Sequence, residues 1–150
     1  MKRIAVYIVT LALLTFSPVK GAELGKMRPV EVVLVYAQAG EVVILTDTED
    51  VGKGKDGLSA LKNLKATTAG TIYLDTAEYL LIGEGGEPAA EALRTHLKKN
   101  TKVCKGDSGI DLKNVAVYLS VHGDLPRLEA WNLGGHLPKL RLVDGRFLLD

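Results

Sequence analysis

Residues 52–57 form the first stretch of this chain whose residue types and spacing could serve chemistry. Their sequence, Gly-Lys-Gly-Lys-Asp-Gly, fits the G-x-G-x-x-G pattern with which dinucleotide-binding folds bring a pyrophosphate to a helix N-terminus. In those folds the glycines follow a strand directly, whereas residues 46–51 intervene here, and no βαβ unit of suitable length surrounds them. We therefore interpret residues 52–57 as a solvated loop that ends in a helix cap, and we expect no bound cofactor.

Ser108 lies in a second such segment, residues 104–109, which reads Cys-Lys-Gly-Asp-Ser-Gly. Trypsin-like proteases carry a similar sequence around their nucleophilic serine, which needs a histidine base beside it. The histidine that precedes Ser108 in the sequence is His96, within a predicted helix, and Ile110 stands where the protease pattern has a second glycine. We therefore interpret this segment as a polar β-turn, in which Gly, Asp and Ser each favour tight backbone conformations.

A metal site and a reactive thiol are two further possibilities. His122, Asp124 and His136 are the types of residue that bind metals, but no short ligand spacing links them, so we interpret them as loop or surface residues. Cys104 is the one cysteine of the chain, which excludes an internal disulfide and a four-cysteine metal site. We interpret it as a small buried hydrophobic residue.

Paired carboxylates are the last catalytic possibility. Glu78, Glu84 and Glu87 could supply them, but solvation of a helix and a turn accounts for these residues equally well. No catalytic constellation emerges from the sequence, and we predict a protein that is not an enzyme and has no catalytic, cofactor-binding or metal-binding residues.

The bulk composition indicates an ordinary globular protein. The chain has 150 residues, of which 47% are hydrophobic and 25% are charged, so one domain, or one domain and part of a second, is expected. Its 19 basic and 18 acidic residues leave no strong field that would attract a polyanion. We therefore predict no nucleic-acid partner.

Residues 1–21 have the three-part layout of a secretory signal peptide. Lys2 and Arg3 form the positive region, residues 4–16 are apolar, and Ser17-Pro18 ends the apolar run before a cleavage region near Gly21. The apolar run is shorter than the roughly 20 residues that span a bilayer comfortably. We expect an exported protein, on the extracytoplasmic face of the membrane or secreted, and an uncleaved N-terminal anchor is the alternative.

Removal of the predicted signal peptide changes the net charge of the chain, and the net charge affects binding to anionic lipid. Cleavage after residue 21 leaves 16 basic and 18 acidic residues, so little positive charge remains to hold the protein on anionic lipid. Because no cysteine lies near the end of the apolar run, the sequence predicts no lipid anchor.

Alternating apolar and polar segments predict several short strands. Residues 30–36 and 41–46 are rich in β-branched residues and flank a turn at 37–40, which predicts a hairpin. Asp144-Gly145, between two apolar runs, predicts a second hairpin. The other predicted strands are residues 71–74, 76–82, 101–104 and 115–121, and residues 105–109 are a predicted turn.

Two helices complete the predicted fold. Leucines recur at helical spacing in residues 58–66, where Asp56 or Gly57 supplies the cap. Pro88 opens the second helix, whose apolar stripe extends to Leu97. The sequence therefore predicts an α+β fold, in which two helices pack on a small mixed β-sheet after the signal peptide.

Three segments of this chain resemble the N-terminal domain of the Ger(x)C proteins, the C subunits of spore germinant receptors. They are residues 56–64 (Asp-Gly-Leu-Ser-Ala-Leu-Lys-Asn-Leu), 78–84 (Glu-Tyr-Leu-Leu-Ile-Gly-Glu) and 90–93 (Ala-Glu-Ala-Leu). Residues 137–140 and 143–149 are similar to the segment that leads into the second domain of that family. Family members carry a lipid-modified cysteine after the signal peptide, which this chain lacks.

The resemblance implies a division of the chain and a function. Residues 22–135 would form the α+β domain of Ger(x)C type, and residues 136–150 the start of a second, truncated domain or a terminal hairpin. The protein would act without catalysis in nutrient-triggered spore germination, through contacts with germinant receptor A and B type membrane subunits. The alternative from the residues alone is a secreted module that binds a small ligand or the cell wall.

Overall fold

The computed structural model of the protein describes residues 27–150. The predicted signal peptide, residues 1–21, lies outside this range. Nine strands and three α-helices follow one another within these residues. They are β1 (Met27–Pro29), β2 (Val32–Gln38), β3 (Glu41–Thr46), β4 (Val51–Gly54), α1 (Gly57–Thr67), β5 (Thr71–Tyr73), β6 (Tyr79–Ile82), α2 (Glu87–Leu93), β7 (Lys102–Gly106), α3 (Val115–His122), β8 (Lys139–Val143) and β9 (Arg146–Leu149).

Seven of these strands form one mixed sheet in the order β4-β3-β2-β6-β7-β8-β9. The four neighbours β2, β6, β7 and β8 are parallel, whereas β3, β4 and β9 join as antiparallel hairpin partners. Strands β1 and β5 form a separate parallel pair. The α+β class with a mixed sheet, predicted from the sequence, is confirmed.

The sheet is covered on both faces, so its central strands are buried throughout. Alternate residues of β2 and β6 point to opposite sides: Val33 and Ile82 belong to the apolar cluster under α1 and α2, and Leu34 and Leu81 to the cluster under α3. This explains why both strands read as continuous apolar runs. After α3 the chain crosses to the first face, where Trp131 is buried in the first cluster.

Several local predictions are confirmed. The hairpin of β2 and β3 turns through Ala39 and Gly40, both with positive φ. Helix α1 begins after Asp56, whose side chain accepts a hydrogen bond from the Ser59 backbone N–H at 2.8 Å. At the other end of the sheet, β8 and β9 form the hairpin that Asp144-Gly145 predicts.

The strand predicted for residues 115–121 is wrong, because these residues form helix α3. Its segment Val-Ala-Val-Tyr-Leu-Ser-Val is rich in β-branched residues, which favour strands. Yet Val115, Ala116 and Leu119 fall on one helical face, and this face is buried against the sheet. Tertiary packing therefore overrides the local propensity, and the sheet is covered by three helices instead of two.

Several other elements begin or end at residues that differ from the predicted ones. Residues 51–54 are strand β4, so the interpretation of residues 52–57 as a solvated loop is wrong for its first half. Strand β6 begins at Tyr79 because residues 74–76 form a 3-10 turn, and α2 ends at Leu93, before another such turn. Strand β7 extends to residue 106, within the predicted turn of 105–109.

Candidate functional site

The structure keeps Ser108 apart from the histidine that a protease mechanism would require. Ser108 is exposed in the turn after β7, whereas His96 precedes that strand, so a five-residue strand of about 3.3 Å per residue separates them. His96 lines a depression with Lys65 and the segment around β5. The turn at residues 107–110 is closed by a hydrogen bond from the Ile110 N–H to the Asp107 carbonyl oxygen.

The glycines of residues 52–57 serve packing between a strand and a helix. Gly52 lies under the carbonyl oxygen of Ala60, and Gly54 lies under the backbone of Ser59 and Ala60. A side chain at either position would enter the backbone of α1. The space that a pyrophosphate occupies in a dinucleotide-binding loop is therefore filled by the chain's own helix.

The residues considered above as metal ligands or as paired carboxylates do not come together in one site. Within residues 27–150, no cluster of three or more His, Cys, Asp or Glu side chains could hold a metal ion. His122 stacks on Tyr118 with 4.6 Å between the ring centroids. Glu78 pairs with Lys98 before β6, and Glu84 and Glu87 follow that strand.

Cys104 lies in the middle of β7 and is fully buried, as expected from the sequence. It pairs in register with Leu81 of β6 and belongs to the apolar cluster under α3. Burial raises the pKa of the Cys104 thiol to about 12. The thiol is therefore protonated at neutral pH and packs as an apolar side chain.

An apolar cleft lies at the carboxyl ends of the parallel strands β2 and β6, which is where ligands bind in many open sheets with parallel strands. Its volume is about 460 Å³. The turn between β2 and β3, the start of α1 and the start of α2 form its walls, and the lining includes Val42, Leu58, Pro88 and Ala92.

Charged groups lie at the rim of this cleft. Glu41, Lys55 and Asp56 line it and are exposed. The hydrogen bond from the Ser59 backbone N–H holds the pKa of Asp56 below its usual value. The arrangement suits a small molecule with an apolar body, whose polar end would remain in water beside Lys55.

A second candidate is an exposed apolar patch, formed by Val117, Tyr118 and Val121 of α3 with Leu142 and Phe147 of the last hairpin. Val117 is 69% and Val121 73% exposed, one helical turn apart. The rings of Tyr118 and Phe147 touch, with centroids 5.4 Å apart, and Leu142 is the cross-strand partner of Phe147. These contacts make one continuous surface across a helix and a hairpin.

Sequence analysis missed both candidate surfaces. The apolar patch depended on recognising residues 115–121 as a helix, which would have shown that its apolar residues are not confined to one helical face. A helix of this kind is buried against its own protein or against a partner. The cleft could not be inferred from spacing, because its three walls come from segments far apart in the chain.

Comparisons with protein-family models, with curated proteins and with solved structures found no match to this chain. Among residues 27–150, none of the helices has the length and apolar character needed to cross a bilayer.

Proposed function

We propose that this protein is an exported, non-enzymatic domain that acts through protein–protein contacts, like the first domain of a spore germinant receptor C subunit. The apolar patch carries this proposal. Exposed apolar side chains scattered singly are ordinary on a protein surface, but a continuous group on a rigid element marks a contact site. The similarity of residues 56–64, 78–84 and 90–93 to the Ger(x)C domain supports the choice of partner.

The geometry of α3 supports a contact that is made by a helix face. Val115, Ala116 and Leu119 anchor the helix on the sheet, so Val117 and Val121 project from a fixed backbone. Burying two valines and the edge of Tyr118 would remove apolar surface from water at about 25 cal/mol per Å². A membrane subunit with an apolar extracytoplasmic surface would match this patch.

Co-purification tests this proposal with defined partners. The chain is co-expressed with the A- and B-type membrane subunits from the same genome, and the complex is extracted in mild detergent. We expect the unmodified chain to co-purify with them and the Val117→Lys/Val121→Lys variant to be lost from the complex. Val51→Lys is the matched control, because Val51 is 40% exposed on the far edge of the sheet. Equal recovery of all three chains would contradict the proposal.

Export is the second part of the proposal. Lys2-Arg3, the apolar residues 4–16 and Pro18 support a signal peptide that is removed near Gly21. Expression in a secreting host, followed by N-terminal sequencing, should give a mature chain that starts within a few residues of Ala22. Full-length protein in the cytosol would contradict this part.

A small-ligand binding module is the second candidate function, and the cleft beside α1 and α2 favours it. Its apolar lining and charged rim resemble those of sites that take small amphipathic molecules. The anionic dye 1-anilinonaphthalene-8-sulfonate is a suitable probe, because it combines an aromatic body with one charge. We expect Ala92→Phe to fill the cleft and abolish dye binding.

The matched control is Ala130→Phe, which adds the same side chain at an exposed position far along the chain. If both variants bind the dye as the unmodified protein does, the cleft is not the site. Loss of binding in Val117→Lys/Val121→Lys would instead assign the dye to the apolar patch.

A further inference from the structure

The two edges of the seven-stranded sheet differ in how their backbone groups are protected. At the β4 edge, the Lys53 N–H donates to Asn63 Oδ1 at 3.0 Å, and the Thr67 hydroxyl donates to the Val51 carbonyl oxygen at 3.4 Å. Both side chains belong to α1, which packs along β4. This edge is thus covered by a helix, a common protection against unwanted strand pairing.

The β9 edge has no comparable cover among residues 27–150. Strand β9 reads Arg-Phe-Leu-Leu and is the last strand of the sheet. Leu148 is 46% exposed on the sheet face opposite to α3. An open edge with apolar side chains and without a bulge or a proline is a template for another strand.

The alternation of hydrogen-bonded and non-hydrogen-bonded pairs between β8 and β9 identifies the backbone groups of β9 that point away from the sheet. Lys139 and Asp150 exchange both of their backbone hydrogen bonds, at 2.9 and 3.0 Å. Because such pairs alternate along an antiparallel ladder, Leu148 also bonds inwards to β8. The N–H and C=O groups of Phe147 and Leu149 therefore face away from the sheet.

We propose that a second copy of this chain pairs with β9 in an antiparallel, two-fold symmetric register centred on Leu148. In this register Phe147 of each copy lies opposite Leu149 of the other, so the outward-facing groups form four backbone hydrogen bonds. The two Leu148 side chains meet on the two-fold axis and cover each other. The seven-stranded sheets of the two copies become one continuous sheet.

Charge selects this register over its neighbours. With Leu148 at the centre, Arg146 of each copy lies opposite Asp150 of the other, and opposite charges across a strand pair are favourable. Arg146 has no ion-pair partner among residues 27–150, whereas Asp150 already lies against Arg141. Registers centred on Phe147 or Leu149 would place a charged residue opposite Leu148.

This inference goes beyond the proposed function because it rests on the backbone edge of β9 and on Leu148, and not on the exposed valines of α3. The two-fold axis is perpendicular to the sheet, so both copies of α3 lie on one side while the Leu148 pair lies on the other. Val117 and Val121 of the apolar patch contribute nothing to the strand pair, whereas Phe147 of the patch lies opposite Leu149 of the other copy. The Val117→Lys/Val121→Lys variant should therefore lose the membrane partners and keep self-association.

A cross-linking experiment tests the two-fold contact at Leu148. Directly opposed residues at this position would have Cα atoms about 4.5 Å apart, within the range that a disulfide spans. We expect Leu148→Cys to give a covalent dimer under mild oxidation. Val143→Cys is the matched control, since Val143 is 42% exposed on the same face but lies in β8. The buried Cys104 is not available to react.

A charge exchange tests the register. Alone, Arg146→Asp and Asp150→Arg should each weaken self-association about tenfold, because each places like charges opposite one another twice. Mixed together, the two variants restore both opposite-charge pairs, so the mixture should associate as a heterodimer. Sedimentation between about 1 µM and 1 mM covers the affinities of a small interface.

Three results would overturn the proposal: a monomer at every concentration, equal cross-linking of both cysteine variants, or no recovery on mixing. Cross-linking without recovery would show that the copies meet in another register. Circular dichroism of each variant checks that the fold is retained. An extended peptide from a different protein that binds β9 and leaves the chain monomeric would assign the edge to another partner.

Discussion

Gly52 lies directly beneath the carbonyl oxygen of Ala60 in helix α1. A Cβ atom at position 52 would also come within 2.5 Å of the Leu64 Cβ atom in the same helix. The absence of a side chain lets α1 approach β4 at backbone distance. The motif that most resembled a phosphate-binding loop therefore joins a helix to the edge of the sheet.

Gly52→Ala should destabilise the protein. The added methyl group has no space, because the nearest atoms belong to the backbone and Cβ positions of α1, which cannot rotate away. Overpacking of this kind costs about 1–3 kcal/mol or more. Gly109→Ala is the control, since a Cβ there meets nothing within 4 Å. Urea unfolding of both variants measures the difference, and equal midpoints would contradict the packing role.

Leu81→Ala and Ile82→Ala should each lower the free energy of unfolding by about 2–5 kcal/mol. The two side chains are fully buried on opposite faces of β6, so both apolar clusters are tested. Lys98→Ala should change it by less than about 0.5 kcal/mol, because its ion pair with Glu78 is solvent-exposed. Chemical denaturation decides the matter. Near-parental stability of both core variants would show that β6 is not central.

Asp56→Ala should lower stability at neutral pH and have less effect in acid. The Ser59 backbone N–H lowers the pKa of Asp56 in the folded protein, so its contribution is present above the unfolded pKa and is lost as pH falls through the folded one. Urea midpoints at neutral and acidic pH measure this, with Asp124→Ala as an exposed control. A deficit that stays constant with pH would exclude the carboxylate as the cap.

Cys104 should resist alkylation in the folded protein and react when the protein unfolds. Because burial raises the pKa of this thiol in the folded protein from its ordinary value of 9.0 to about 12, the unfolded thiol ionises first as pH rises. Stability should therefore fall from about pH 9 towards pH 12 by this contribution. Cys104→Ala should show a weaker decline over that range. Rapid labelling of the native protein by iodoacetamide at neutral pH would contradict the assigned burial.

The sequence predicted the elements whose signals are local. Asp56 as a cap, the turn at Gly40 and the Asp144-Gly145 hairpin each depend on the conformational preference of one or two residues, and all three are present. The continuous apolar runs of β2 and β6 predicted burial for the same reason, since each residue of such a run needs an apolar environment.

Long-range packing accounts for the elements that were predicted wrongly. Residues 115–121 favour a strand by composition, and only the available face of the sheet makes them a helix. Gly52 and Gly54 lower the strand propensity of β4, but the helix that needs their small size comes later in the chain. The cleft and the apolar patch were missed because each combines segments that have no local signal for one another.

The parallel arrangement of the central strands also sets an order of folding. Val33 pairs with Thr46, 13 residues away, whereas Val32 pairs with Tyr79, 47 residues away. Closing the longer loop costs more chain entropy and waits for more of the chain. A chain that emerges N-terminus first can therefore form the β2–β3 hairpin while the other edge of β2 remains open. Until β6 appears, that apolar edge has no partner strand and is open to pairing with another chain.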